Sequence, residues 1–278
     1  MFYYAVVNFL AGSDATIVVS SEDSLYVAEN LFNRRPSKPF QFAGVGAVGD
    51  PEFICVEFEN PKRVSLAAIF NHNLDLGEPT DELVLAGCDN GCQSSGSGGC
   101  DWDNPDYEMS LQDRIVADWN DAYKLIDETR LAYRLSVIDG GNDQAVEIGE
   151  FFLGEAVALS SAYLQPGRAE SPQLYRHANV TYYGQHWLQS LSESITLELT
   201  IASMNDPDVV DAVRKMIMAI HNGGGKFVMV PNDQHPFVYY VALENDGGFM
   251  SQIARGFDCE LTEWSLSLRT LTKGIALL

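Results

Sequence analysis

The sequence predicts a mainly β protein of two units, a jelly-roll-like sandwich followed by a sheet that carries one amphipathic helix. Three observations predict it. Short apolar runs separated by turn signals continue as far as Leu153, at the spacing of an all-β sandwich. Ile195, Leu197, Leu199 and Ile201 then alternate strictly with Thr196, Glu198 and Thr200, the period-two signature of a half-buried antiparallel strand. Finally, Val209, Val210, Val213, Met216, Ile217 and Ile220 form a single apolar stripe at helical spacing.

Tyr3 to Leu10 is apolar but lacks the basic leader and small-residue cleavage site of a signal peptide, and reads as a strand. Strands follow at Thr16 to Ser20, Phe53 to Phe58, Val64 to Phe70, Glu82 to Ala86, Ala132 to Ile138 and Val146 to Leu153. Between the first two, a short helix is expected over Ser24 to Asn30, with Leu25, Ala28 and Leu31 on one face and Ser24 as cap. Gly154, Pro166-Gly167 and Ser171-Pro172 mark a seam. Beyond it, Asp206-Pro207-Asp208 opens the helix and Gly223 to Gly225 close it. Lys226 to Val230 and Phe237 to Leu243 read as strands. Cys259 and Leu261 lie in one strand phase and Trp264, Leu266 and Leu268 in the other, so a β-bulge is expected at Thr262-Glu263.

The length of 278 residues suits two domains, and 46% hydrophobic with 11% aromatic residues suffices for a sizeable core. A formal net charge of −22 argues against tight binding to a nucleic-acid backbone. No apolar run reaches the roughly 18 residues of a spanning helix, so membrane insertion is not expected. Five cysteines, an odd number, argue against a secreted disulfide framework and make a reducing cytoplasm the default site of synthesis.

Cys88, Cys92 and Cys100 lie close together in a Gly/Ser-rich loop, where they read as metal or cluster ligands short of a fourth, as disulfide partners, or as free thiols. Ser94 to Gly99 is almost pure Gly and Ser, so the loop is expected to be dispensable for folding. Asp101, Asp103 and Asp106 follow with oxygen ligands spaced like half of a calcium loop, but the central glycine and terminal glutamate are missing; a solvated acidic loop is the alternative. His72, His221 and His235 sit in no triad or zinc motif, and no glycine-rich loop opens a helix to cradle phosphate. No catalytic residue and no cofactor is assigned.

In order along the first half stand Ser20-Ser21-Glu22, Tyr26 to Phe32, Arg34 to Phe40, Ile54 to Phe58, Val64 to Ile69, Tyr133 to Val137 and Val146 to Gly154. That succession resembles the galactose-binding-like, discoidin-type jelly roll over about residues 13 to 155. With the Ile148 to Gly154 ending joined to a sheet-plus-helix unit, the chain resembles distal tail and tail-tip proteins of long-tailed bacteriophages. The resemblance implies an N-terminal strand over 1–12 that belongs to the ring domain, a jelly roll over 13–155, a linker over 156–175 and a ring-forming domain over 176–278. Tyr182-Tyr183-Gly184, Ser192 to Ile201 and Leu261 to Leu268 would supply the ring strands. It implies a non-enzymatic virion component, assembled in the host cytoplasm as a hexameric ring with tail-tube and hub proteins as partners and a host surface glycan as accessory ligand. In distal tail proteins the ring domain comes first; here the jelly roll does, unless Tyr3 to Leu10 is a ring strand. The alternative is a stand-alone carbohydrate-binding module of the galactose-binding-like class. Its glycan contacts would be Phe40, Phe42, Asn71, His72, Asn73, Trp102 and Trp119, with rings stacking on the sugar face and Asn, Asp and Arg side chains bonding hydroxyls; Phe40 and Trp119 fit the core equally well.

Overall fold

The computed structural model describes residues 1–44, 51–76, 80–94, 99–112, 121–140, 144–159, 169–180, 186–202, 207–234, 237–243 and 263–271. Its strands are Phe2–Ala5 (β1), Ala15–Val19 (β2), Phe40–Gln41 (β3), Glu52–Phe70 (β4), Glu82–Cys88 (β5), Gly91–Ser94 (β6), Gly99–Cys100 (β7), Tyr107–Ser110 (β8) and Asp121–Ile138 (β9). They continue with Glu147–Ile148 (β10), Glu150–Gly154 (β11), Val157–Leu159 (β12), Ala169–Val180 (β13) and His186–Ala202 (β14). Helix Pro207–Asn222 (α1) precedes Lys226–Val230 (β15), Tyr239–Leu243 (β16) and Glu263–Thr270 (β17). The protein is mainly β, an antiparallel jelly-roll unit joined to a sheet that carries one helix.

The jelly-roll sheet runs β11-β4-β9-β5-β8, with β2 also on β4; the second sheet runs β12-β1-β15-β16-β17-β14-β13. β1 lies between β12 and β15, with Tyr3 opposite both Ala158 and Val230. Since β1 and β12 are antiparallel neighbours, the jelly roll is an insertion between two adjacent strands of the helix-bearing sheet.

Side-chain alternation stacks the layers. Along β15, Phe227 and Met229 pack with Val213, Met216, Ile217 and Ile220 of α1, while Val228 and Val230 face the other way. There they meet Leu66, Ala68 and Phe70 of β4, Tyr123 of β9 and Phe152 of β11. The intervening residues Ala67, Ile69, Phe151 and Leu153 point into the jelly-roll core. The order is thus helix, sheet, sheet, jelly-roll interior, and strands buried on both faces read as near-continuous apolar runs. The rings of Phe70 and Tyr240 stack across the junction at 5.3 Å.

A buried polar knot closes that junction. Asn8 donates to Glu150 Oε1 at 3.3 Å and to the Phe151 carbonyl at 2.8 Å, and its own Oδ1 accepts from Leu10 N. Arg34 donates to the Gly223 carbonyl, and Lys226 Nζ donates to the Arg34 carbonyl at 2.9 Å. Burial pushes the Glu150 carboxyl up to about 7, offset by hydrogen bonds from Asn8 and Tyr240 and by the Arg34 and Lys226 charges. From the ordinary 4.5 up to that value the unfolded chain has shed a proton that the folded chain keeps. Stability therefore falls as pH rises through this window and levels off above it. Glu150→Gln is expected to remove roughly 3 kcal/mol of this fall between pH 5 and 8. Coincident denaturant-derived stability curves for the parent and the variant across that range would exclude the carboxyl as its source.

Several expectations change. Phe53 to Phe58 and Val64 to Phe70 are one strand, β4, with register shifts between Glu57 and Lys62 and between Val64 and Leu66. The helix expected over Ser24 to Asn30 is a 3-10 turn at Ala28–Phe32, and its N-cap Val27 makes no side-chain bond. Leu25 is 78% exposed and so supplies no buried face, while Asp23 accepts from Leu25 N and Glu22 from Ala28 N, holding a turn. The stretch 156–175 holds β12 and the first half of β13 instead of a bare linker. Val146 to Leu153 breaks at Gly149, where a Cβ would strike the Pro36 carbonyl oxygen. α1 ends on Gly224 and Gly225 at φ 78° and 76°, with Gly225 N donating to Ile220 O. Thr262 of the expected bulge lies outside the described residues, and β17 pairs with β14 without a shift from Glu263 to Arg269.

Candidate functional site

The outer face of the jelly-roll sheet is set by register. Arg134 of β9 stands between Cys55 of β4 and Ala86 of β5, and Ser136 stands between Phe53 and Val84. Their neighbours Ile54, Val56, Leu135, Leu83 and Leu85 fill the core, so alternation turns Phe53, Cys55, Glu57 and Arg134 outward. Cys92 and Trp102 pack on this face. Cys92 is disulfide-bonded to Cys55, and Cys88 to Cys100. Cys92 N donates to Glu57 Oε2 at 2.8 Å, and Trp102 Nε1 donates to the Cys92 carbonyl at 3.4 Å. Phe53 and Trp102 pack on the small cluster of Cys55, Cys92 and Ala132.

The guanidinium of Arg134 lies 4.2 Å from the Phe53 ring centre and 5.6 Å from that of Trp102. Burial pulls its pKa down, and the nearby Asp103 charge pulls it back up. Phe53, Trp102 and Arg134 are each half-buried, so an aromatic pair and a cation reach the surface together. Such a group can stack on the C–H face of a sugar ring and donate to its hydroxyls or acid groups.

The other expected glycan contacts are placed elsewhere. Phe40 and Phe42 have no exposure, and their rings meet edge to face at 4.7 Å inside the jelly-roll core, where neither can stack on a sugar. Asn71, at φ 52°, donates through its side chain to the Pro36 carbonyl at 2.8 Å. Asn73 donates to the Ala145 carbonyl at 2.8 Å and accepts from Glu147 N at 2.7 Å. Both amides tie loops together. His72 is buried, accepts from Leu74 N through Nδ1 at 3.3 Å, and is pushed down to about 4 by burial, which keeps it neutral. Trp119 lies outside the described residues. Of the described members of this set, Trp102 is the one that the structure brings to the site.

The metal readings are corrected too. Cys88, Cys92 and Cys100 are all disulfide-bonded, so none is a thiolate ligand or a free thiol. Asp101 accepts from Asp103 N at 3.3 Å, and Asp106 accepts from Asp89 N at 2.9 Å. These carboxylates shape turns, and among the described residues no group of three or more His, Cys, Asp or Glu side chains is arranged to hold a metal ion. No described helix is long and apolar enough to cross a membrane. Phe53 and Arg134 escaped sequence reasoning, although each occupies the outward phase of a strand whose alternate residues are core-type, an odd place for an aromatic ring.

No protein-family model and no curated protein matches the chain. Among solved structures it is similar to the family 32 carbohydrate-binding module of Clostridium perfringens NanJ in complex with galactose, at 14% identity and a TM-score of 0.39 over 55% of this chain and 99% of that one. A Streptococcus pneumoniae fucose-binding module aligns at 10% identity and a TM-score of 0.36 over 53% and 94%. Chitosan-binding module 1 of a Paenibacillus sp. IK-5 chitosanase/glucanase aligns at 15% identity and a TM-score of 0.37 over 54% and 99%.

Proposed function

We propose that this chain is a non-catalytic glycan-binding protein whose jelly roll is held rigidly on a helix-backed sheet. The observation that carries the reading is the Trp102, Arg134 and Phe53 cluster, surface-borne and anchored through Cys92 to the central strand β4. A stacking ring beside a fixed donor is the usual means of holding a sugar. The two disulfides fit work in an oxidising medium. A ligand of the folded state raises stability, by about 2.7 kcal/mol at a hundred times its Kd. Melting the protein with galactose, glucose, N-acetylglucosamine and galacturonic acid is therefore expected to give a shift with at least one sugar, and Trp102→Ala is expected to abolish it. If no sugar shifts the melting temperature, the reading fails.

A second reading, the phage tail-tip ring implied by the sequence resemblance, is favoured by one observation. The jelly roll is inserted near one edge of a seven-stranded sheet whose described order ends on β12 and β13. Edge strands must be paired, covered or charged, and pairing around an axis closes a ring without leaving any free. With 39 acidic residues against 17 basic, ring formation should strengthen with salt. Six copies are expected by light scattering at high salt; a monomer at every salt and protein concentration, even beside tail-tube protein, excludes this arrangement.

A further inference from the structure

Several cations of this acidic chain meet a carboxylate. Lys62 meets Asp14 at 2.6 Å, Arg63 meets Asp127 at 2.8 Å, Arg130 meets Glu128 at 2.9 Å and Lys215 meets Asp211 at 2.7 Å. Arg134 departs from this pattern. Its neighbours are the rings of Phe53 and Trp102, and among the described residues its guanidinium has neither an ion-pair partner nor a hydrogen-bond acceptor. The Nε is buried and unpaired. Asp103 acts on it through space, while Asp101 and Asp106, which flank Trp102 in the chain, are turned to backbone N–H groups.

We propose that Arg134 selects a carboxylate-bearing sugar, its guanidinium holding the ligand's carboxylate while the exposed part of Trp102 covers the sugar's C–H groups; this rests on the glycan-binding reading above. The N–H groups of a guanidinium form a planar fork that matches the two oxygens of a carboxylate. A half-buried cation without a counter-ion gains more from an anion than from a neutral hydroxyl, because charge-assisted hydrogen bonds are roughly twice as strong. The surrounding acidity acts against this at longer range but is screened over about 8 Å at physiological salt. It therefore favours a sugar with one carboxylate and repels a dense polyanion.

Calorimetric titration of the full chain with galacturonic acid, its methyl ester and galactose tests the assignment. Galacturonate is expected to bind at least tenfold more tightly than the ester or galactose, which should resemble each other. Arg134→Gln should erase that preference, bringing galacturonate down to the affinity of its ester. Should that variant fail to fold, Arg134→Lys, which keeps the charge and loses the fork, should still lose most of the preference. Ester and acid binding equally, or a preference that survives Arg134→Gln, overturns the carboxylate assignment and leaves a glycan-binding protein. Absence of binding by all three probes overturns the assignment, and if the wider sugar panel is also silent the glycan reading fails with it.

Discussion

Val213→Asp is expected to destabilise the helix-bearing sheet by about 4 kcal/mol or more, the range of an unpaired charge forced into a core. Val213 is 1% exposed and packs with Met216, Ile217 and Ile220 against Phe227, Met229, Tyr239 and Val241. The neighbouring cations Arg214 and Lys215 lie on the exposed surface, and Lys215 is already bonded to Asp211 at 2.7 Å. The new carboxylate must therefore protonate, at a cost that grows with pH, or open the helix from the sheet. Met218→Asp is the matched control: Met218 is 39% exposed, so its replacement should change stability by less than about 0.5 kcal/mol. Urea titration of both variants separates the effects. If Val213→Asp melts like the parent yet no longer assembles, the stripe serves a partner and not its own sheet.

The second large effect concerns the loop expected from its Gly/Ser composition to be dispensable. Cys55, near the start of β4, is bonded to Cys92 across 37 residues, and Cys88 to Cys100 across 12. Closing a loop of the larger size removes about 4 kcal/mol of unfolded-state entropy in the chain-entropy model, and the smaller about 3. Replacing Cys55 and Cys92 together with Ser should lower stability by roughly 3 to 4 kcal/mol and also release the backbone carbonyl that holds Trp102. Sugar-induced stabilisation should then weaken even at temperatures where the jelly roll remains folded. A double variant that melts within 2 °C or so of the parent would return the loop to the dispensable class.

Alternation and helical spacing made the secondary structure legible where the period of two is strict, as in β14, or where the stripe is long, as in α1. Where strands are buried on both faces the pattern said less. Leu66 to Phe70 and Phe151 to Leu153 read as jelly-roll strands, but nothing local shows that Leu66, Ala68, Phe70 and Phe152 meet a second sheet while Ala67, Ile69 and Leu153 do not. The site was harder still. Trp102 stood out as an aromatic ring in an acidic loop, whereas Phe40 and Phe42 look equally loop-borne until β3 pairs with Ile148 and draws them inward. Arg134 acquires meaning only through Phe53 and Trp102, far from it in sequence, and the odd cysteine count concealed two pairs because Cys259 was counted with them.

The strand that begins the chain must wait for its neighbours. Tyr4 pairs with Val157 and Met229, so during synthesis β1 leaves the ribosome long before either partner exists. Every strand of the jelly-roll sheet lies between Ala15 and Gly154, so that domain can close first, in the interval when Phe2 and Tyr4 have nothing to rest on. Folding order is thereby imposed by connectivity, with the guest domain completed before its host and the ends of the host's sheet brought together late, the slow step expected of pairings so distant in sequence.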